Sequence, residues 1–141
     1  MFSYRKKSYR LFSFFLVILL CSGLFISIAQ ARASDYILSY TATVQAAGSG
    51  KVNVNFSIIG LSKMDQIGAM TIVLYENGTA VKTFQYTSTP SMMAYNTVQH
   101  NNSVTYNGVA GRSYYAIVTF WAGKQGGGDS RTKTTSTVIA T

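Results

Sequence analysis

Cysteine is almost missing from this chain. Cys21 is the only one, and it lies inside an apolar N-terminal run. The rest of the chain therefore has neither a disulfide nor a thiolate site. Cys21 does not fit a lipoprotein acceptor, because Leu20 precedes it where a small residue is required. Acid is nearly as scarce: Asp35, Asp65, Glu76 and Asp129 are the only carboxylates, and His100 the only histidine. This inventory offers no metal-ligand set. Cofactor motifs are missing too, so no cofactor and no metal are expected. Helical periodicity is missing beyond the apolar run, which leaves strands as the building material.

What is present begins with an export pattern. Arg5, Lys6, Lys7 and Arg10 form a basic start, Leu11 to Ala29 is an uncharged apolar run, and Ala29-Gln30-Ala31 and Ala31-Arg32-Ala33 are small-residue cleavage patterns. Residues 1–33 read as a signal peptide cut after Ala33, with Ala31 as the alternative site. The run is 19 residues long, near a membrane span, so an uncleaved anchor is the competing reading. It would be the chain's only link to a membrane. The expected product is a secreted, extracellular bacterial protein.

Removing this segment changes the charge argument. The whole chain carries +8. Ser34 to Thr141 keeps seven basic and four acidic residues, a net of +3. Nucleic acid is therefore not an expected partner. These 108 residues suffice for a single domain with its own core.

The chain is organised around Gly111 to Ala122. Aromatic and β-branched residues fill this run. One face carries Tyr114, Ala116, Val118 and Phe120, the other Tyr115, Ile117, Thr119 and Trp121. Tyr36–Ala46 and Lys51–Ile59 alternate cleanly and form a hairpin. Gly60–Gly68 breaks the pattern, Ala69–Glu76 is a third strand, and Asn77-Gly78 turns into a fourth at Ala80–Tyr86. Thr87–Asn102, which holds the only proline, Pro90, is expected to be a long connection, with room for a short strand near Met93. Ser103–Asn107 is a short strand, Gly123–Ser130 a glycine-rich loop, and Arg131–Ala140 the last strand. Seven strands at this spacing predict an all-β, immunoglobulin-like or fibronectin-III-like β-sandwich, with a barrel as the alternative. Tyr114, three residues after Gly111, stands where such folds bond a tyrosine hydroxyl back to the backbone.

Catalytic readings are weak. His100 lies between Gln99 and Asn101 with no evident acid or nucleophile. Pairing Asp65 with Glu76 or Asp129 for glycoside hydrolysis has no support from spacing. Gly126-Gly127-Gly128-Asp129-Ser130-Arg131 is open to an anion but reads more simply as a hairpin. The candidate ligand-binding residues are instead Tyr75, Tyr115 and Trp121, an aromatic platform, with Lys124, Asp129 and Arg131 at its edge.

Several positions resemble a domain-of-unknown-function family of small secreted Firmicutes proteins: Gly68, Ile72 and Glu76; Met92, Met93, Tyr95 and Asn96; His100; Val104 and Tyr106; Gly111, Tyr114, Ala116, Val118, Thr119 and Phe120; and Gly126 to Arg131. The resemblance spans nearly all of Ser34 to Thr141, and it departs at Trp121, where tyrosine is commoner. It implies secretion and an immunoglobulin-like sandwich, and transfers no activity.

The expected function is a non-catalytic module that binds a cell-envelope glycan or an extracellular protein. A small membrane-active toxin is the alternative, and an enzyme using His100 with Asp129 a third reading.

Overall fold

The computed structural model describes residues 33–141. The signal-peptide reading, with Cys21, thus falls outside the described residues except at Ala33. The described chain is all β: seven antiparallel strands in one curled sheet, with a single 3-10 turn at Pro90–Met92. The strands are β1 (Ile37–Gly48), β2 (Lys51–Glu76), β3 (Thr79–Gln85), β4 (Met93–Asn107), β5 (Ser113–Lys124), β6 (Gly127–Thr134) and β7 (Val138–Ile139).

β2 is the spine. Its first half pairs with β1 on one side and β4 on the other, and its second half with β5 and β3. β6 and β7 extend the sheet beyond β5. The curl brings the two inner faces together. Phe120 of β5 packs on Tyr40 of β1 and Phe56 of β2, with ring centroids 5.3 and 6.5 Å apart. Val52, Val54, Ile58, Ile72, Leu74 and Val118 fill the same core without solvent exposure. Each sits at the alternate positions that its strand points inward.

The first two expected hairpins form as read. Ser49-Gly50 and Asn77-Gly78 have positive φ at both turn residues, the geometry that matches strand twist and that Asn and Gly tolerate best.

Three expectations are corrected. Gly60–Gly68 is no break: β2 runs through it, with a register shift against β4 between Ile59 and Met64. Gly60 leaves room for the buried Met64, whose Cγ lies 3.0 Å from where a Cβ would stand. The Leu61 N–H donates to the Tyr36 carbonyl at 2.9 Å. Second, Thr87–Asn102 is mostly strand rather than connection, because β4 starts at Met93. Third, the last strand divides into β6 and β7 around Thr135. This buried threonine accepts the Ala116 N–H at 3.0 Å and donates to the Ser136 carbonyl at 3.0 Å. The expected total of seven strands is met because one merger offsets one division.

Candidate functional site

No buried side-chain nitrogen or oxygen among the described residues lacks a hydrogen-bond partner. The core therefore holds no polar group waiting for a ligand, and candidate sites lie on the sheet's outer faces.

The outer face of the second half is a stripe built by register. Tyr75 stands opposite Tyr115, Val73 opposite Ile117, and Thr71 opposite Thr119. β6 adds Thr134 beside Ile117, Thr132 beside Thr119 and Ser130 beside Trp121. The structure brings Tyr75 and Tyr115 together as a stacked pair, centroids 4.7 Å apart and planes 3° apart. Trp121 shares their face but lies six residues further along β5, about 20 Å at the usual strand rise.

Trp121 has a bed of its own. Gly123 and Gly128 are cross-strand partners, and both are places where a Cβ would run into the indole: one on Gly123 would lie 2.9 Å from its six-membered ring, and one on Gly128 would overlap it. Side chains of a cross-strand pair leave the sheet on the same face. The ring therefore lies against two bare backbones, with the residue partly exposed. This is what the glycine-rich stretch does. The tip of its hairpin is only Gln125-Gly126, and Gly127 to Arg131 belong to β6 rather than to a loop. Gly127 serves a second aromatic, since the Tyr36 hydroxyl lies 2.5 Å from where its Cβ would be.

Asp129 and Arg131 are separated from this surface. They pair with Ala122 and Phe120, so they point to the opposite side from Trp121. They bond each other at 2.8 Å. A hydrogen bond from the Ser34 hydroxyl holds the Asp129 carboxyl below the usual range; partial burial opposes the shift, and the Arg131 charge reinforces it. The pair thus fastens the chain before β1 to β6. Lys124 is exposed at the end of β5, on the alternate side of the strand from Trp121. The Asp65 carboxylate accepts the neighbouring Gln125 N–H at 2.7 Å.

His100 points to the inner side of β4. Its Nε2–H donates to the Ser91 carbonyl at 2.8 Å, and its ring meets Phe56 edge-on at 5.7 Å. Neither partner is an acid or a nucleophile.

One cluster was not legible beforehand. The Tyr114 hydroxyl accepts the Val109 N–H at 2.8 Å and donates to Glu76 Oε2, while Arg112 reaches Glu76 Oε1 at 2.5 Å. The backbone bond of Tyr114 was readable from Gly111 and the strand pattern. The part played by Glu76 was not, because its partners lie 36 and 38 residues away.

A second outer face belongs to the first half of the sheet. Its rows are Thr41–Ser57–Asn101, Thr43–Asn55–Ser103 and Gln45–Asn53–Thr105, all uncharged. A shallow concavity of about 400 Å³ lies over the first two rows.

In comparisons with known proteins, the chain matches no family model, no curated protein and no solved structure.

Proposed function

We propose that the protein is an exported, non-catalytic β module that binds a cell-envelope glycan, with Trp121 as its contact. The observation that carries this reading is the indole lying over Gly123 and Gly128. An indole held against the two glycines and flanked by Ser130, Thr119 and Thr132 suits the apolar face of a sugar ring, with hydroxyls placed to meet the sugar's own. Tyr75 and Tyr115 close the far end of the same stripe. Lys124, Asp129 and Arg131 are not part of this contact. Export rests on the basic and apolar pattern of residues 1–33. The immunoglobulin-like assignment belongs to the same proposal. It is supported by the Tyr114 hydroxyl bonded back to Val109 and by the edge-on packing of Phe56 on Phe120 across the core, the kind of contacts such sandwiches use.

The test is co-sedimentation of the unit Ala33–Thr141, which has its own core, with bacterial cell walls at low and high salt. Two variants accompany it. Trp121→Ala removes the ring, and Gly128→Ala keeps the ring but lifts it off its bed. Salt-resistant binding lost in both variants is expected. Binding that survives both would refute the platform, and binding lost with salt alone would mean that only the +3 charge acts. Dye release from lipid vesicles would favour the toxin reading.

A further inference from the structure

The strands with a free side in this sheet differ in how they are guarded. β6 carries Asp129, Arg131 and Lys133, and β3 carries Lys82. β1 lies beside β5, β6 and β7. Among the described residues β4, like β1, pairs with β2 alone and contains no Lys, Arg, Asp, Glu or Pro, but it runs for 15 residues without the neighbours that β1 has in β5, β6 and β7. An open edge of that length without a charge is one that proteins avoid unless something pairs with it.

The backbone groups along β4 show which positions are open. The Ser103 N–H is taken by its neighbour's Asn102 Oδ1 at 2.8 Å, and the Gln99 carbonyl by Thr97 Oγ1 at 3.2 Å. Both bonds are local, made from side chains of β4 itself, and both fall on odd positions. In an antiparallel ladder such alternate residues direct N–H and C=O to the side away from the existing partner. Gln99, Asn101 and Ser103 therefore form a short row facing outward from the sheet edge.

We propose that β4 is a homodimer edge, paired antiparallel with β4 of a second copy about a two-fold axis at Asn101. The sequence is self-complementary about that centre. Gln99 faces the second copy's Ser103, Thr97 faces its Thr105, and Asn101 faces its own equivalent. Three hydrogen-bonded pairs between positions 99 and 103 offer about six interchain backbone bonds, in two of which the Ser103 N–H exchanges its neighbour's Asn102 Oδ1 for the second copy's Gln99 carbonyl. On the inner side Val98, 45% exposed in the single chain, meets the second copy's Val104. No charge opposes a like charge anywhere along the pairing, which a second copy requires. The result is closed, because a two-fold contact uses the same edge on both copies. It joins the two uncharged outer faces into one surface, with the row Thr41–Ser57–Asn101 running on into its symmetry mate.

Sedimentation analysis of Ala33–Thr141 from micromolar to millimolar concentration tests this, with Asn101→Asp and Asn101→Lys as variants and Thr83→Lys on β3 as the control. Both substitutions at Asn101 lie on an exposed position, and circular dichroism confirms their fold. The parent and the control are expected to form dimers of twice the chain mass. Each Asn101 variant alone should dimerise at least about tenfold more weakly, since like charges then meet on the axis. An equal mixture of the two should regain the dimer as a heterodimer. A parent that stays monomeric throughout overturns the proposal, as does an Asn101 variant that dimerises like the parent, or growth into open-ended assemblies. Rescue in the mixture distinguishes a lost contact from a damaged fold.

Discussion

Tyr114 and Glu76 are two ionisable groups that share a hydrogen bond and respond to pH in opposite directions. The bond from Tyr114 holds the Glu76 carboxyl below its ordinary value; partial burial opposes the shift, and Arg112 adds to it. The tyrosine is pushed up by burial first and by the carboxylate second, with the Val109 N–H acting against both. For a depressed carboxyl, the stabilisation is present above its unfolded pKa, about 4.3, and is lost as pH falls through the lower folded value. For a raised phenol, it is present below about 10 and is lost as pH rises through the higher folded value. Stability should therefore show a plateau with a fall on each side. Urea midpoints measured across pH check this. Glu76→Gln should lessen the acid fall, and Tyr114→Phe should remove most of the alkaline one. Tyr114→Phe should also cost about 1 to 3 kcal/mol on the plateau, because the part-buried Val109 N–H loses its acceptor. If the phenylalanine variant kept the full alkaline fall, Tyr114 would not be its source.

Among the elements, β2 departs furthest from its sequence pattern. Alternation is clear over Lys51–Ile59 and again over Ala69–Glu76, and those two parts were legible. Between them Gly60, Lys63, Asp65 and Gly68 imitate a loop. What makes them strand is tertiary: Met64 folding into the core, and Gly68 standing where β4 and β5 both reach β2, opposite Met93 and Trp121. β4 is legible only from Ser103 onward, for the converse reason. As an edge strand with a half-covered inner face, it carries Asn102 and His100 inward and Asn101 and Ser103 outward, so no apolar period of two appears. Local turn chemistry, by contrast, was fully readable at Asn77-Gly78. The aromatic stripe was readable as a pattern on β5, while the glycine bed under Trp121 needed the pairing of Gly123 with Gly128, which only the register supplies. The corner at Gly68 gives a direct prediction. A Cβ there would overlap the Met92 carbonyl and come within 2.8 Å of the Met93 Cα, and backbone cannot swing aside as a side chain can. Gly68→Ala should destabilise by at least about 2 kcal/mol, measured by denaturant midpoint. Gly78→Ala in the β2–β3 turn, where no described atom lies within 4 Å, should show only the strain of its positive φ. Equal losses at the two sites would mean that the corner is not close-packed.

The whole domain is one sheet folded on itself, so its cooperativity depends on what joins the two inner faces. β2 links them along the chain, but a shared strand alone would let one half loosen while the other stayed intact. Phe120 supplies the other link. It belongs to β5, in the second half, and its ring packs on Tyr40 and Phe56, both in the first. It is fully buried, and Arg131 of β6 lies opposite it in register. Truncating it to alanine should cost about 3 to 5 kcal/mol, the range for a buried phenylalanine. If the halves form one cooperative unit, that loss is shared. Hydrogen exchange of the slowest amides of β1 and of β6 should then accelerate by the same factor in Phe120→Ala, because both open through the same global unfolding. If the halves were independent, the β6 amides would accelerate and those of β1 would keep their parent rates. Equal acceleration would also bear on the proposed binding surface. Trp121 on its glycine bed would then be held by the core of the entire sheet, and weakening that core should loosen glycan contact without touching the contact residue.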